Sequence, residues 1–412
     1  MRRASASATG LFRAAFGCLP TRIAVVPGRV ELLGNHTDYN AGLVLAATID
    51  RTLEFAFAPR ADGVIELVSS AFPRERIRFP AKQTAQVSGE LWPDYVRAVL
   101  LELSRAGISV GGFNAAIHST IPVGAGLSSS AALLVATALA AGNFPHRTTA
   151  ERLRVAELCQ RAEKRLGVDC GLLDYLTILH GRAGSAVRLD LRALTVRAIP
   201  WPQDIALVLA DSGVRHQLAD GGYNAIRRAC EGAARKLGAA TLREVRARSL
   251  STAGLKLSAR ECGAARHIVE ENARVAEAVR LLEGGRGSET AKLKAEPGRL
   301  KAEIDQSLLT AAATGDKGRR LGALFTASHE SSRTQLRNSC PELDRLIIRA
   351  NGLPGWLGGR LSGGGFGGMT VHVVRRQNLR RFMAGLPAEC LAFECRFGAG
   401  ARVGAIRGGG QT

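Results

Sequence analysis

The sequence predicts an α+β fold in two domains, and three observations carry that prediction. Its 412 residues are more than one hydrophobic core usually organises. Hydrophobic residues make up 46% and charged residues 22%, a balance that buries a large core and excludes a disordered chain. Segments with two-residue alternation are interspersed with segments of helical period. Turn signals around Pro200-Trp-Pro202 precede a fresh strand, so the boundary is placed there, between residues 1–200 and 201–412.

The elements follow in chain order. Residues 11–20 predict a short helix that ends at Gly17, and Arg22–Pro27 an apolar strand broken at Pro27-Gly28. Residues 43–58 and 64–80 alternate like paired strands, and Trp92–Ala106 has helical period. Phe113–Ile121 alternates as a half-buried strand does, followed by a helix from Ser129 and a second near 150–166 that stops at Gly167. The second half begins with the strand Ile205–Ala210. Helices are expected near 222–237, 261–283 and 319–337, and strands near 357–362 and 369–374. The Gly/Lys/Glu-rich stretch from Glu283 to Lys317 is read as a solvated helix or a loop, without chemistry.

Composition narrows the function. Lys+Arg 56 against Asp+Glu 36 leaves a formal charge of +20, which raises the question of nucleic acid. The basic residues are mostly arginines spread along helical stretches, and only three Trp and four Tyr could act as stacking platforms. A basic enzyme that handles a polyanion fits better, so no nucleic-acid partner is expected. No membrane span is expected either, because the longest nearly apolar run, Ala131–Ala141, falls well short of the roughly twenty residues needed. Eight scattered cysteines without a CxxC pattern suit a reducing, cytoplasmic setting. The start, Met1-Arg-Arg-Ala-Ser, lacks an adjoining apolar segment and does not read as a secretory signal. A monomer or weak homo-oligomer is expected.

Three glycine-rich segments stand apart. The first, Pro27-Gly-Arg-Val-Glu-Leu-Leu-Gly-Asn-His-Thr-Asp-Tyr-Asn-Ala-Gly42, gathers Arg29, Asn35, His36 and Asp38 on a bent backbone. Such a cluster suits a hydroxyl-rich ligand, and equally a polar turn with a satisfied histidine. A metal reading is weak, since no third ligand stands at useful spacing. The second, Ile121-Pro-Val-Gly-Ala-Gly-Leu-Ser-Ser-Ser-Ala131, joins a strand to a helix. Its glycines turn backbone N–H groups toward phosphate and the helix start adds partial positive charge. The serines can cap the helix, bond phosphate or ligate magnesium. Neither Gly-Lys-Ser/Thr nor GxSxG occurs, which excludes a Walker A loop and a hydrolase elbow. The third, Arg360-Leu-Ser-Gly-Gly-Gly-Phe-Gly-Gly-Met369, formally matches GxGxxG, but a strand pattern follows it where a dinucleotide fold needs a helix. A fourth segment, Gly167-Val-Asp-Cys-Gly-Leu-Leu-Asp-Tyr175, follows a helix carrying Glu163. Asp174 stands there among apolar residues, where a lone carboxylate is costly unless paired or functional. Asp169 is read as a helix cap.

In this order and spacing the three segments resemble those of the GHMP small-molecule kinases, and within them the galactokinase family. Weaker matches lie at Trp92-x-x-Tyr-Val96, Cys170-Gly-x-x-Asp174, Val214-Arg-His-x-Leu218 with Tyr223, and Ser339-Cys-Pro-Glu-Leu-Asp344. The resemblance implies a ribosomal-protein-like N-terminal domain with the sugar signature and phosphate loop, and a ferredoxin-like C-terminal domain with the third glycine loop. It implies phosphorylation of the anomeric hydroxyl of galactose, with ATP and Mg²⁺. Asp174 is then the catalytic carboxylate and Arg29 its cationic partner. Asn35, His36, Asp38, Gly171 and Tyr223 line the sugar. Pro122, Gly124, Gly126, Leu127, Ser128, Ser129, Ser130 and Ala131 hold the phosphates, Ser130 and Glu163 the metal, and Trp92 lies near the adenine. The third glycine loop closes the site behind both substrates. One position departs from the family, which usually has Glu where this chain has Asn35, and that loosens the identity of the sugar. The alternatives are a GHMP kinase for another sugar, and an inactive sugar sensor. The intact serine run and Asp174 speak against the sensor.

Overall fold

A computed structural model describes residues 7–83, 91–215, 221–252, 257–284 and 316–406. Its strands are β1 (Arg22–Leu33), β2 (Leu43–Arg60), β3 (Val64–Ser69), β4 (Phe72–Pro80), β5 (Gly112–Ser119), β6 (Ser185–Asp190), β7 (Thr195–Pro200), β8 (Ile205–Asp211), β9 (Trp356–Ser362), β10 (Met369–Arg375), β11 (Ala392–Cys395) and β12 (Arg402–Ala405). One sheet runs β12-β1-β2-β5-β3-β4, with β6 paired to β2 and β7 to β6. The other runs β11-β8-β10-β9 with every pair antiparallel, the strand order of a ferredoxin-like βαββαβ unit. The second sheet opens at Ile205, just past the turn at Pro200-Trp-Pro202, while β12 returns from the chain's end to pair with β1.

Several local expectations are corrected. The first helix, α1 (Ala8–Phe16), starts earlier because the Ser7 side chain caps it, and Gly17 ends it in the left-handed region. The strand expected to stop at Pro27-Gly28 continues to Leu33, with a register shift between Pro27 and Arg29 that absorbs the missing N–H of proline. Segment 64–80 is a hairpin of two strands, and it does not pair with β2. β5 inserts between them, because the crossover through α2 (Leu91–Arg105) lays β5 parallel to β3. The expected stretch 283–317 falls largely on residues 285–315, outside the described residues.

Among the described residues the helices that follow α2 are α3 (Ser129–Ala140), α4 (Thr149–Arg165), α5 (Leu173–His180), α6 (Gly222–Lys236), α7 (Ala247–Thr252), α8 (Ala259–Leu282), α9 (Lys317–Ser331), α10 (Pro341–Asn351) and α11 (Leu379–Gly385). Helix α3 is apolar on every face and buried from Ala131 to Ala140, so it lies inside the protein rather than on it. It packs on β1, β2, α2 and α4. One continuous core runs from the first sheet through α3 and α5 to Leu207, Leu209, Met369 and Val371 of the second. The helix expected at 319–337 divides into α9 and a π-helical turn, Ser332–Leu336, a widening that often marks functional positions. Among the described residues no helix is long and apolar enough to cross a membrane.

Candidate active site

The bulged strand β1 and the N-terminal turn of α5 bring the first charged pair together. Arg29 grips Asp174 with two parallel bonds, Nε to Oδ1 at 2.6 Å and Nη2 to Oδ2 at 2.8 Å, the fork geometry that fixes a carboxylate's plane. Its third nitrogen, Nη1, donates to the Gly126 carbonyl at 2.6 Å, and its backbone N–H donates to the Leu127 carbonyl at 3.2 Å. Burial alone would lower the Arg29 pKa, but the Asp174 carboxylate and the bonds to it raise it above the ordinary value. Asp174 is thus paired rather than stranded among apolar residues, and its side chain keeps 25% exposure, enough to meet a ligand.

The second glycine segment lies against this pair. Gly124 and Gly126 both hold left-handed backbone, with φ of 70° and 73°, and both are exposed, while Leu127 and Ala131 are buried and Pro122 half-buried. Ser129 and Ser130 are half-buried at the start of α3. Of the roles open to the serines, Ser128 does not take that of a helix cap; its hydroxyl donates to Asp174 Oδ2. A helix start of this kind, with glycines before it, accommodates an anion.

The sugar-signature turn lies between β1 and β2. His36 is buried with φ of 57°, and both ring nitrogens are engaged, Nδ1 with the Tyr39 hydroxyl at 2.6 Å and Nε2 with the Gly364 carbonyl at 3.1 Å. A carbonyl only accepts, so Nε2 carries the proton and Nδ1 accepts. Burial pulls the His36 pKa down to about 3, which keeps the ring neutral. Tyr223, at the start of α6, faces it with ring centroids 4.9 Å apart. Burial, with the Asp174 and Glu31 carboxylates nearby, pushes Asp38 up to about 7. Gly171 is required beside it: a Cβ there would stand 2.0 Å from Asp38 Oδ2. Asp38, His36, Tyr223, Gly171 and the Arg29–Asp174 pair therefore form one polar cluster.

Asn35 departs from the expectation that it lines the sugar. It is 1% exposed, and its amide has no capacity left. Nδ2 donates to Glu31 Oε1 at 3.1 Å and to the Gly363 carbonyl at 2.7 Å. Oδ1 accepts from Asn338 Nδ2 at 2.9 Å and from the Ser332 hydroxyl at 3.4 Å. The π turn after α9 brings Ser332 and Asn338 to this point. The third glycine segment passes behind the sugar turn, and Ala125 and Gly126 of the phosphate loop lie against it.

Glu163 and Ser130 lie together, joined by a hydrogen bond. The Tyr175 hydroxyl and the Cys170 thiol also donate to Glu163, and burial raises its pKa. Trp92 stacks on Phe72 at 5.9 Å and donates from Nε1 to Glu75 at 2.7 Å. Asp169 does not cap α5, whose cap position is Leu172; it pairs with Arg227 at 3.2 Å. His216 and Leu218 lie outside the described residues.

Sequence reasoning missed the residues beneath the sugar turn. Glu271 of α8, fully buried, accepts the N–H groups of Gly34 at 2.9 Å and Asn35 at 3.3 Å, the Ser328 hydroxyl at 2.7 Å, and Arg274 Nε at 2.6 Å. Burial would raise its pKa, but Arg274, His267 and Arg360 hold it well below the carboxylate range. Asn272 Oδ1 accepts from the Leu43 N–H at 2.7 Å. Arg360 Nη1 reaches Glu31 Oε1 at 2.9 Å.

Comparison with known proteins places this geometry. Models of the GHMP kinases N terminal domain, the galactokinase galactose-binding signature and the GHMP kinases C terminal domain match residues 94–182, 10–59 and 309–390. The chain is 37% identical to the galactokinase of Chloroflexus aurantiacus over 91% of its own length and 89% of the relative's. It is 35% identical to that of Homo sapiens over 90% and 88%. The structure is similar to that of Lactococcus lactis galactokinase complexed with galactose, with a TM-score of 0.81 and 26% identity over 96% of this chain and 98% of the other.

Proposed function

The chain belongs to the galactokinase family of GHMP kinases, and on that premise we infer that it transfers the γ-phosphoryl group of ATP to the anomeric hydroxyl of galactose, giving galactose 1-phosphate. The observation that carries the reading is the Arg29–Asp174 clamp, which hangs from the carbonyls of the phosphate loop and belongs to the cluster of His36, Asp38 and Tyr223.

Phosphoryl transfer needs positioning and charge neutralisation more than covalent chemistry. Backbone N–H groups of the loop from Gly124 to Ala131, with Ser129, cradle the phosphates at the start of α3. Asp38, His36, Gly171 and Tyr223 shape the sugar's berth. The sugar oxygen attacks the γ-phosphorus, and the bond to the bridging oxygen breaks with its electron pair leaving on ADP. Asp174 accepts the hydroxyl proton, while Arg29 holds the carboxylate in plane. Ser130 and Glu163 offer the oxygen donors that Mg²⁺ takes; they would hold the ion, which supplies charge neutralisation at the phosphates. Trp92, on α2, is assigned to the adenine side on the resemblance alone.

The test is a panel of free sugars with Mg-ATP and purified protein. Galactose should be consumed with ATP, and the product should lose its reducing end, since only an anomeric phosphate blocks it. Preference for another sugar, or a product that still reduces, would overturn the assignment.

A further inference from the structure

Ser128 holds a place that phosphate binding does not explain. Its backbone is left-handed, φ 59° and ψ 43°, a conformation that a residue with a Cβ adopts only when its surroundings impose it. It sits at the cap position of α3 without making a cap bond. It is buried at 7% exposure, whereas Gly124 and Gly126 of the same loop are exposed. Its hydroxyl turns away from the helix and donates to Asp174 Oδ2.

The lone pairs of Asp174 show what this does. A carboxylate has about four acceptor positions. Arg29 Nε takes one on Oδ1, and Arg29 Nη2 takes one on Oδ2. The Ser128 hydroxyl takes the second position on Oδ2. Among the described residues one acceptor position is left, and it is on Oδ1. Resting on the reading of Asp174 as proton acceptor, we propose that Ser128 is a positioning residue for Asp174: it fills Oδ2, so that the acceptor hydroxyl of the sugar meets Oδ1, and it does not ligate a phosphate of the nucleotide. The loop's grip on Arg29 through the Gly126 and Leu127 carbonyls then makes the nucleotide loop and the proton acceptor one rigid piece.

The test compares Ser128→Ala and Ser128→Gly with the wild type, measuring kcat and the KM of ATP at saturating sugar, with thermal unfolding as the folding control. Both variants lack the hydroxyl, and glycine also accepts the left-handed backbone without strain, so the glycine variant decides between the outcomes should the alanine variant fail to fold. In each folded variant kcat should fall about 10- to 100-fold, the scale of a misplaced reacting group. The KM of ATP should stay within about threefold, because ground-state binding of the nucleotide is untouched. Any larger rise in the ATP KM would make Ser128 a phosphate ligand and overturn the proposal. Unchanged kcat in the glycine variant would overturn it too. If the wild type itself fails to turn over galactose, the functional reading fails, whereas active wild type with unaffected variants sinks only the role of Ser128.

Discussion

Replacing Asn35 by alanine separates a sugar ligand from an internal clasp. The substitution removes four hydrogen bonds, but their loss does not sum. Glu31 keeps Arg360 Nη1 at 2.9 Å, and Asn338 Nδ2 keeps the Gly364 carbonyl at 3.2 Å. The Gly363 carbonyl loses its bond from Nδ2, and a buried acceptor without a donor costs about 1–3 kcal/mol. Asn35→Ala should therefore lower the thermal midpoint by a few degrees, while the KM of galactose moves less than about fivefold. A direct sugar contact would instead cost roughly 5- to 150-fold in the galactose specificity constant. Asn35→Glu is harsher. It sets a carboxylate against Glu31 Oε1 and the Gly363 carbonyl, where the amide donates at 3.1 Å and 2.7 Å, and an uncompensated buried charge costs about 3–5 kcal/mol. Adding Glu31→Asn returns a donor opposite the new carboxylate, so the double variant should recover about 1 kcal/mol or more over additivity. Thermal midpoints with and without galactose, with steady-state kinetics, measure all of this. A wild-type midpoint for Asn35→Ala with a tenfold rise in the galactose KM would show that the amide faces the sugar, and the clasp would be refuted.

Asp174→Asn should cut kcat by at least about 100-fold, the scale of a lost proton acceptor, with galactose binding by calorimetry weakened far less; near-normal turnover would move catalysis elsewhere. Gly126→Val should abolish ATP binding in the folded protein, because a β-branched residue strains a backbone at φ 73° and its methyls enter the phosphate berth; unchanged ATP affinity by titration would relocate the nucleotide. Burial and the nearby carboxylates push Asp38 up to about 7, so the galactose KM should rise as pH falls from 8 to 5.5 and the carboxylate protonates, and Asp38→Asn should flatten that limb. The sign for stability is opposite: a carboxyl whose folded pKa lies above its unfolded value stabilises the fold at low pH, and that contribution declines as pH rises toward about 7. A galactose KM that is flat across this range would remove Asp38 from the sugar.

Local signals carried much of the fold into the sequence. Alternation showed β5, and turn signals ahead of an apolar run showed β8, because both patterns report a residue's own surroundings. What they could not report was which strand neighbours which. The insertion of β5 between β2 and β3 depends on a crossover, and no residue in either strand encodes its partner. The bulge at Pro27 misled for a related reason: proline ends a strand only where its missing N–H is needed, and the register shift to Arg29 removes that need.

The site divides in the same way. Arg29, Asp38 and Asp174 stood out because they interrupt short, glycine-bounded stretches, and the structure brings them together. Asn35 was drawn with them by adjacency, although a turn sends consecutive side chains in different directions and this one points inward. Glu271 and its neighbours escaped notice inside a long helix, yet a trace of them is present. His267, Glu270, Glu271 and Arg274 recur at the spacing of a helix's inner face, between the buried Ala264, Ile268, Val275 and Ala278. Four polar groups on a buried stripe are too costly to keep unless each finds a partner. Arg274 pairs with Glu270 and Glu271 inside the stripe, and partners outside it include the Gly34 and Asn35 amides, the Asn35 carbonyl, Ser328 and Gln335, so the stripe grips the turn that carries His36 and Asp38. The rigidity of the turn that carries His36 and Asp38 thus originates more than two hundred residues along the chain, in α8.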